Sequence, residues 1–134
     1  MIVLDASAAV EWALRSPTGE AVKARFLAAR GVLHVPHLID LEIAQAFRRL
    51  VAARALSAIR AEEALTDLDD LALVRHPHSP FLWRIWELRG NLTPYDAAYV
   101  ALAETLDMPV VTCDRKAASS RGHRARFEVI GRRA

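Results

Sequence analysis

Apolar residues recur along this chain with two different periods. Short runs at Ile2 to Leu4, Val32 to Val35, Leu73 to Arg75, Val110 to Thr112 and Phe127 to Ile130 are rich in β-branched and aliphatic side chains and predict strands. Between them apolar positions return every three or four residues, predicting helices near residues 8 to 15, 19 to 29, 38 to 55, 58 to 71, 80 to 89 and 94 to 106, with a short helical turn after Asp114. Strands alternating with helices imply an α/β fold of three layers, α/β/α, around a central parallel sheet of four to five strands. Ser79-Pro80 and Thr93-Pro94 each offer a hydroxyl to cap a helix and a proline for its first turn, and Gly90 offers an end to the helix between them. No repeat, low-complexity tract or linker divides the chain, so residues 1 to 134 read as one domain.

Composition narrows the function classes. At 53% hydrophobic and 25% charged, the 134 residues exclude a disordered tail or a fibre and suffice to bury roughly two-thirds of the unfolded surface. No run approaches the roughly 18 apolar residues of a membrane span, and Met1-Ile2-Val3-Leu4 meets Asp5 too soon for a signal peptide, so a cytoplasmic location without membrane attachment is expected. Cys113 is the one cysteine and has no Cys or His at zinc-ligand spacing, so burial must hold the fold. Charge is unevenly placed: residues 115 to 134 carry seven basic side chains against Glu128, while the rest has eleven basic and fifteen acidic. This basic end, with Arg115, Lys116, Arg121, Arg124 and Arg126, reads either as a solvated surface or as a contact for a polyanion such as RNA.

Four acids carry the chemical signal. Asp5 and Asp114 each follow an apolar run directly, which puts both at carboxyl ends of parallel strands, where ligands of open α/β sheets bind. A strand order of 3-2-1-4-5 makes their strands neighbours. Glu42 lies about 60° from Ile39 around the third helix, on the edge of its apolar stripe, whereas Asp40 lies about 160° from Glu42 and cannot share a site with it. Asp40 reads better as a first-turn acid favoured by the helix dipole. Asp96 stands three residues after Thr93 and reads equally as part of a helix cap. Carboxylates about 4 Å apart repel by roughly 4 kcal/mol at an effective dielectric near 20, so gathering them requires protons or a cation. Mg²⁺ or Mn²⁺ suits such oxygen ligands, one ion held firmly or two together, and can activate water against a phosphodiester.

These residues carry a family resemblance. Ile2-Val3-Leu4-Asp5-Ala6-Ser7-Ala8, Pro36 through Glu42 to Arg48-Arg49, Leu92-Thr93-Pro94-Tyr95-Asp96-Ala97-Ala98-Tyr99 and Val111-Thr112-Cys113-Asp114-Arg115 occur in order along almost the whole chain. Together they resemble the PIN-domain ribonucleases, and more narrowly the VapC-type toxins of bacterial toxin–antitoxin pairs. The resemblance implies a PIN-like fold and a metal-dependent endoribonuclease cutting tRNA or rRNA, with Asp5, Glu42, Asp96 and Asp114 around Mg²⁺ or Mn²⁺. It implies Ser7 and Thr112 as supporting hydrogen-bond partners, a homodimer or larger toxin–antitoxin assembly, and a cognate VapB-type antitoxin that blocks the site.

Other features have plainer readings beside functional ones. Phe81, Leu82, Trp83, Ile85 and Trp86 give one helix more apolar surface than a core-facing side hides, so part of it suits a dimer contact. The helical pair from Leu38 to Leu71 offers apolar residues for an amphipathic antitoxin helix. His34, His37, His76, His78 and His123 read as surface or loop residues, and Cys113 as a small buried thiol. Two other functions compete. A Mg²⁺-dependent phosphohydrolase would want Asp-x-Asp after the first strand, where Asp5-Ala6-Ser7 stands, and a receiver would want an acidic pair and a late strand-end lysine. A non-catalytic RNA- or partner-binding module would not require four gathered acids.

Overall fold

The computed structural model describes residues 1–131; Arg132 and Arg133 of the basic end lie outside the described residues. The chain runs β1 (Ile2–Leu4), α1 (Ala6–Ala13), α2 (Pro17–Ala28), β2 (Leu33–Pro36), α3 (Ile39–Ala52), α4 (Ala58–Asp70), β3 (Leu73–His76), α5 (Leu82–Glu87), α6 (Pro94–Leu106), β4 (Val110–Thr112), α7 (Arg115–Ala118) and β5 (Phe127–Val129). The five strands form one sheet in the order β3-β2-β1-β4-β5, and each adjacent pair is parallel. This is the order expected from the sequence.

The central strand shows why the fold has three layers. Ile2, Val3 and Leu4 are each 0% exposed, as a parallel strand covered on both faces requires. Side chains alternate along a strand, so Ile2 and Leu4 join a core with Val22, Phe26, Ile39 and Phe47 beneath α1 to α4. Val3 points the other way, to Tyr99, Leu102 and Val110. Every residue of α6 from Ala97 to Ala103 is buried, because this helix is packed between the sheet and α5.

Local chemistry moves several helix ends from their expected places. The carboxylate of Asp5 accepts the amide of Ala6 at 2.8 Å and caps α1, which therefore begins two residues early. Ser16 Oγ accepts the amide of Gly19 at 2.9 Å, so α2 starts at Pro17 by the same hydroxyl-proline device recognised elsewhere in the chain. Thr93 caps α6 as expected, accepting the amide of Asp96 at 3.2 Å. Ser79 does not cap: it lies inside a 3₁₀ turn, Ser79–Phe81, closed by the Phe81 amide on the His78 carbonyl at 2.9 Å. The helix expected over residues 80 to 89 is thus a short α5 between that turn and a second one, Leu88–Gly90. No side chain caps the first free amides there, unlike Ser16 at α2 and Thr93 at α6, and the chain closes a tighter turn instead.

At Gly19 a side chain has no room. An added Cβ would fall 2.1 Å from the carbonyl oxygen of Glu11, so glycine lets α2 approach α1. On the opposite layer α5 leaves Trp83 79% and Trp86 58% exposed, the apolar surplus foreseen from its composition. Among the described residues no helix is long and apolar enough to cross a membrane.

Candidate functional site

The register of β1 on β4 pairs Leu4 with Val111, which brings the ends of both strands together. The Asp5 amide then donates to the Val111 carbonyl at 3.0 Å, and the Asp5 side chain meets Thr112 and Ser7. Thr112 Oγ1 donates to Asp5 Oδ2 at 2.6 Å, and Ser7 Oγ donates to the same oxygen at 2.8 Å. Each hydroxyl also accepts a backbone amide: Asp114 on Thr112 at 2.9 Å and Cys113 on Ser7 at 2.9 Å. Ser7 Oγ and Thr112 Oγ1 lie 3.2 Å apart, but each has one proton and Asp5 takes both. This arrangement stitches the two strand ends and fits an acceptor-only, ionised Asp5. Burial pushes its proton affinity up, these donors pull it down, and the nearby Asp114 adds to the upward push.

The other acids arrive on three different elements. Asp114 caps α7, its Oδ1 accepting the amide of Lys116 at 2.9 Å. Glu42 stands in the first turn of α3, where its Oε1 accepts the hydroxyl of Tyr99 from α6 at 2.7 Å. Burial first, then the charges of Asp5 and Asp96, raise Glu42 to about 7 against the pull of Tyr99. Asp96, in the first turn of α6, is also raised, first by burial and then by Asp5 and Asp114, with Thr93 and Lys116 opposing. Asp5 feels Asp114, Glu42 feels Asp5 and Asp96, and Asp96 feels Asp5 and Asp114, so the four carboxyl groups occupy one electrostatic neighbourhood. Asp40 is drawn elsewhere. Both its oxygens pair with Arg75 of β3, at 2.9 Å each.

What could this neighbourhood hold? The donors are hard carboxylate oxygens, the chemistry that favours Mg²⁺ or Mn²⁺. Among the described residues no group of three or more His, Cys, Asp or Glu side chains is arranged to enclose an ion. The residue types nonetheless fit an ion of that class, and Asp5, Glu42, Asp96 and Asp114 are the side chains that would hold it.

The basic end divides. Arg115 and Lys116 line a cavity of about 530 Å³ with Asp114, while Arg121 is exposed in the loop between α7 and β5. Arg124 and Arg126 lie at the other edge of the sheet, where the Arg126 carbonyl accepts the amide of Val110 at the start of β4. There Arg124 approaches Glu104 at 3.8 Å and Arg126 approaches Asp107 at 3.2 Å. His34 and His76 are strand residues rather than loop ones, with Nδ1 of the first 2.9 Å from Nε2 of the second. Burial raises the Cys113 thiol to about 11, which leaves it protonated and unreactive.

Tyr99 was not expected at the site. It is 3% exposed, and burial with nearby Glu42 and Asp5 holds its hydroxyl protonated, so that it donates to Glu42. Its spacing of three residues from Asp96 on one helix face was a usable signal, since a buried phenol needs a polar partner.

Comparison with known proteins agrees with this architecture. The PIN domain family model matches residues 2–121. Ribonuclease VapC12 of Mycobacterium tuberculosis is 42% identical over 131 residues, covering 97% of this chain and 99% of the relative. Ribonuclease VapC9 of the same organism is 47% identical over 114 residues, covering 85% and 86%. Among solved structures, the crystal structure of PAE2754 from Pyrobaculum aerophilum superposes with a TM-score of 0.70 over 96% of this chain and 83% of that one, at 24% identity, a likeness of fold. With its parallel sheet, its gathered acids and these relatives, the chain belongs to the PIN-domain family and, within it, to the VapC group.

Proposed function

We propose that this chain, as a single domain over residues 1 to 134, is a metal-dependent endoribonuclease toxin that cuts structured RNA, tRNA or rRNA, in the cytoplasm. The observation that carries the reading is the shared electrostatic field of Asp5, Glu42, Asp96 and Asp114 at the carboxyl edge of the sheet. That relatives are named ribonucleases supports the choice of RNA. Asp5, Glu42, Asp96 and Asp114 would hold Mg²⁺ or Mn²⁺, which supplies Lewis-acid polarisation of a phosphodiester and acidifies a water. Asp5 binds with its orientation set by Ser7 and Thr112. Glu42, at about 7 and facing the Tyr99 hydroxyl, is suited to receive the proton lost by the attacking water. Arg115 and Lys116 follow Asp114 and would orient the backbone of the RNA, with Arg121 as a more distant contact, while Arg124 and Arg126, paired with Glu104 and Asp107 at the opposite edge of the sheet, stand away from this site.

A VapB-type antitoxin would neutralise the toxin by covering this site, packing a helix on the α3–α4 pair, where Ile59 is 70% and Leu65 40% exposed. Trp83 and Trp86 would bury their exposed rings in a homodimer. The test is to sequence RNA ends after expressing the wild-type chain and its Asp5→Asn variant. New 5′ ends at discrete positions are expected with the first only, and purified protein should lose cleavage in EDTA and regain it with Mg²⁺ or Mn²⁺. Equal cleavage by both chains would remove the proposed site.

A further inference from the structure

A cavity of about 660 Å³ opens between α3 and the start of α6, with Glu42 and Asp96 in its lining. Its other walls include Leu38, Leu41, Gln45, Arg49 and Tyr95. We propose that this cavity is the subsite for one unpaired nucleotide next to the scissile phosphate, its base stacked on Tyr95 and a phosphate held by Arg49. The proposal rests on the ribonuclease reading and adds to it the residues that select the nucleotide.

The size suits a small ligand, since pockets for such molecules span roughly 300–1,000 Å³. Tyr95 immediately precedes Asp96 yet is 63% exposed, and Leu41 is 76% exposed, so an aromatic and an aliphatic surface stand uncovered beside two site acids. A base can use such a surface because its face is flat and apolar while its edge carries donors and acceptors that Gln45 can meet. Arg49 lies seven residues beyond Glu42, about 10 Å along α3. Seven other arginines form ion pairs with acids, whereas among the described residues Arg49, like Arg30, Arg54 and Arg121, has no ion pair or hydrogen bond to its side chain, and of these four it is Arg49 that lines the cavity. A guanidinium kept free in a cavity with site acids is placed for an anion that enters with the ligand. A base inside a duplex cannot offer its face to Tyr95, so the nucleotide must be unpaired, in a loop or single strand. An apolar peptide helix seated in this cavity would desolvate Glu42, Asp96 and Arg49, whereas the apolar Ile59 and Leu65 assigned to the antitoxin helix lie on α4 outside it, which makes RNA the better-matched occupant of the cavity itself.

The probe is a labelled single-stranded RNA of about ten nucleotides with randomised sequence, compared with a paired duplex of the same length, on the intact Asp5→Asn chain with Mg²⁺. Adding Tyr95→Ala or Arg49→Ala should weaken single-strand binding about 5- to 100-fold, Tyr95→Phe should retain it, and duplex binding should change little. In the otherwise wild-type enzyme, Tyr95→Ala should raise KM more than it lowers kcat and should change the nucleotide found beside the cut. Melting curves establish that each variant is folded, and Tyr95→Phe retains the ring if Tyr95→Ala is not. Unchanged binding, KM and cut-site preference in both Tyr95→Ala and Arg49→Ala would overturn the subsite while leaving the ribonuclease reading intact. So would a change confined to oligomeric state or to antitoxin capture, which would assign the cavity to a protein interface. Conversely, a wild-type chain that cuts no RNA but binds single strands through Tyr95 and Arg49 would retain the subsite and reject the ribonuclease reading.

Discussion

Asp5 shows how one side chain can serve both fold and site. Its Oδ1 caps α1 while its Oδ2 takes hydroxyls from Ser7 and from Thr112, 107 positions away in sequence. Its place at a strand end follows from the apolar run before it, and the same argument reaches Asp114. Tyr99 escapes that argument, because only packing shows that its hydroxyl is aimed at Glu42. Removing the hydroxyl takes away the donor that lowers Glu42, so Glu42 should hold its proton to a higher pH. Tyr99→Phe is therefore expected to weaken Mg²⁺ binding about 10- to 100-fold at pH 7, the usual cost of losing a partner behind a ligand, with recovery toward pH 8.5 as Glu42 ionises. Mg²⁺ titration followed by melting temperature checks this at both pH values, and a loss of equal size at each would contradict the role given to Tyr99.

Elements in this protein are joined by specific polar and steric fittings as well as by apolar faces. The α1–α2 corner depends on Gly19, where a Cβ would meet the Glu11 carbonyl. Gly19→Ala must push the helices apart and is expected to cost about 1–3 kcal/mol, a fall in melting temperature of roughly 4 to 12 °C. Thermal unfolding followed by circular dichroism measures it, and an unchanged midpoint would show that the corner can relax. Across the sheet, Glu104 of α6 has a side chain only 2% exposed and accepts two bonds from Arg84, at 2.8 and 3.0 Å, and one from the Arg124 amide. These partners hold its carboxyl below the usual range, so their stabilisation is present above the unfolded carboxylate pKa and is lost as acid protonates the folded group. Helix existence and type could be read from periodicity. The exact starts could not, because they depended on which side chain reached which free amide: Asp5 for α1, Ser16 for α2, and no side chain for the turn at Ser79.

For the molecule as a whole, bringing acids together works against stability unless something neutralises them. Glu42 is raised from 4.5 to about 7, and Asp5 and Asp96 are raised in the same direction. A carboxyl group that binds its proton more tightly when folded adds stability as pH falls through its folded pKa toward the unfolded value, and loses it as pH rises. In EDTA the Glu42 contribution should therefore favour pH 6 over pH 8. Mg²⁺ competes with those protons, so the rise in melting temperature on adding millimolar Mg²⁺ should be larger at pH 8 than at pH 6. Equal shifts at the two pH values would mean that the ion does not bind at the raised acids.

By itself the sequence determined the alternation of strands and helices, the two strand-end aspartates, and a family signature spread along the chain. These are local properties: an apolar run, a helical period and a motif depend on neighbours a few residues apart. The tertiary structure decided which of two acids on α3 faces the site, since Arg75 of β3 draws Asp40 away while Tyr99 of α6 meets Glu42. It also divided the basic end, leaving Arg115 and Lys116 beside Asp114 and Arg124 and Arg126 at the opposite edge. Such choices belong to packing because each is made by a partner on another element, and no period along the chain records where that partner will lie.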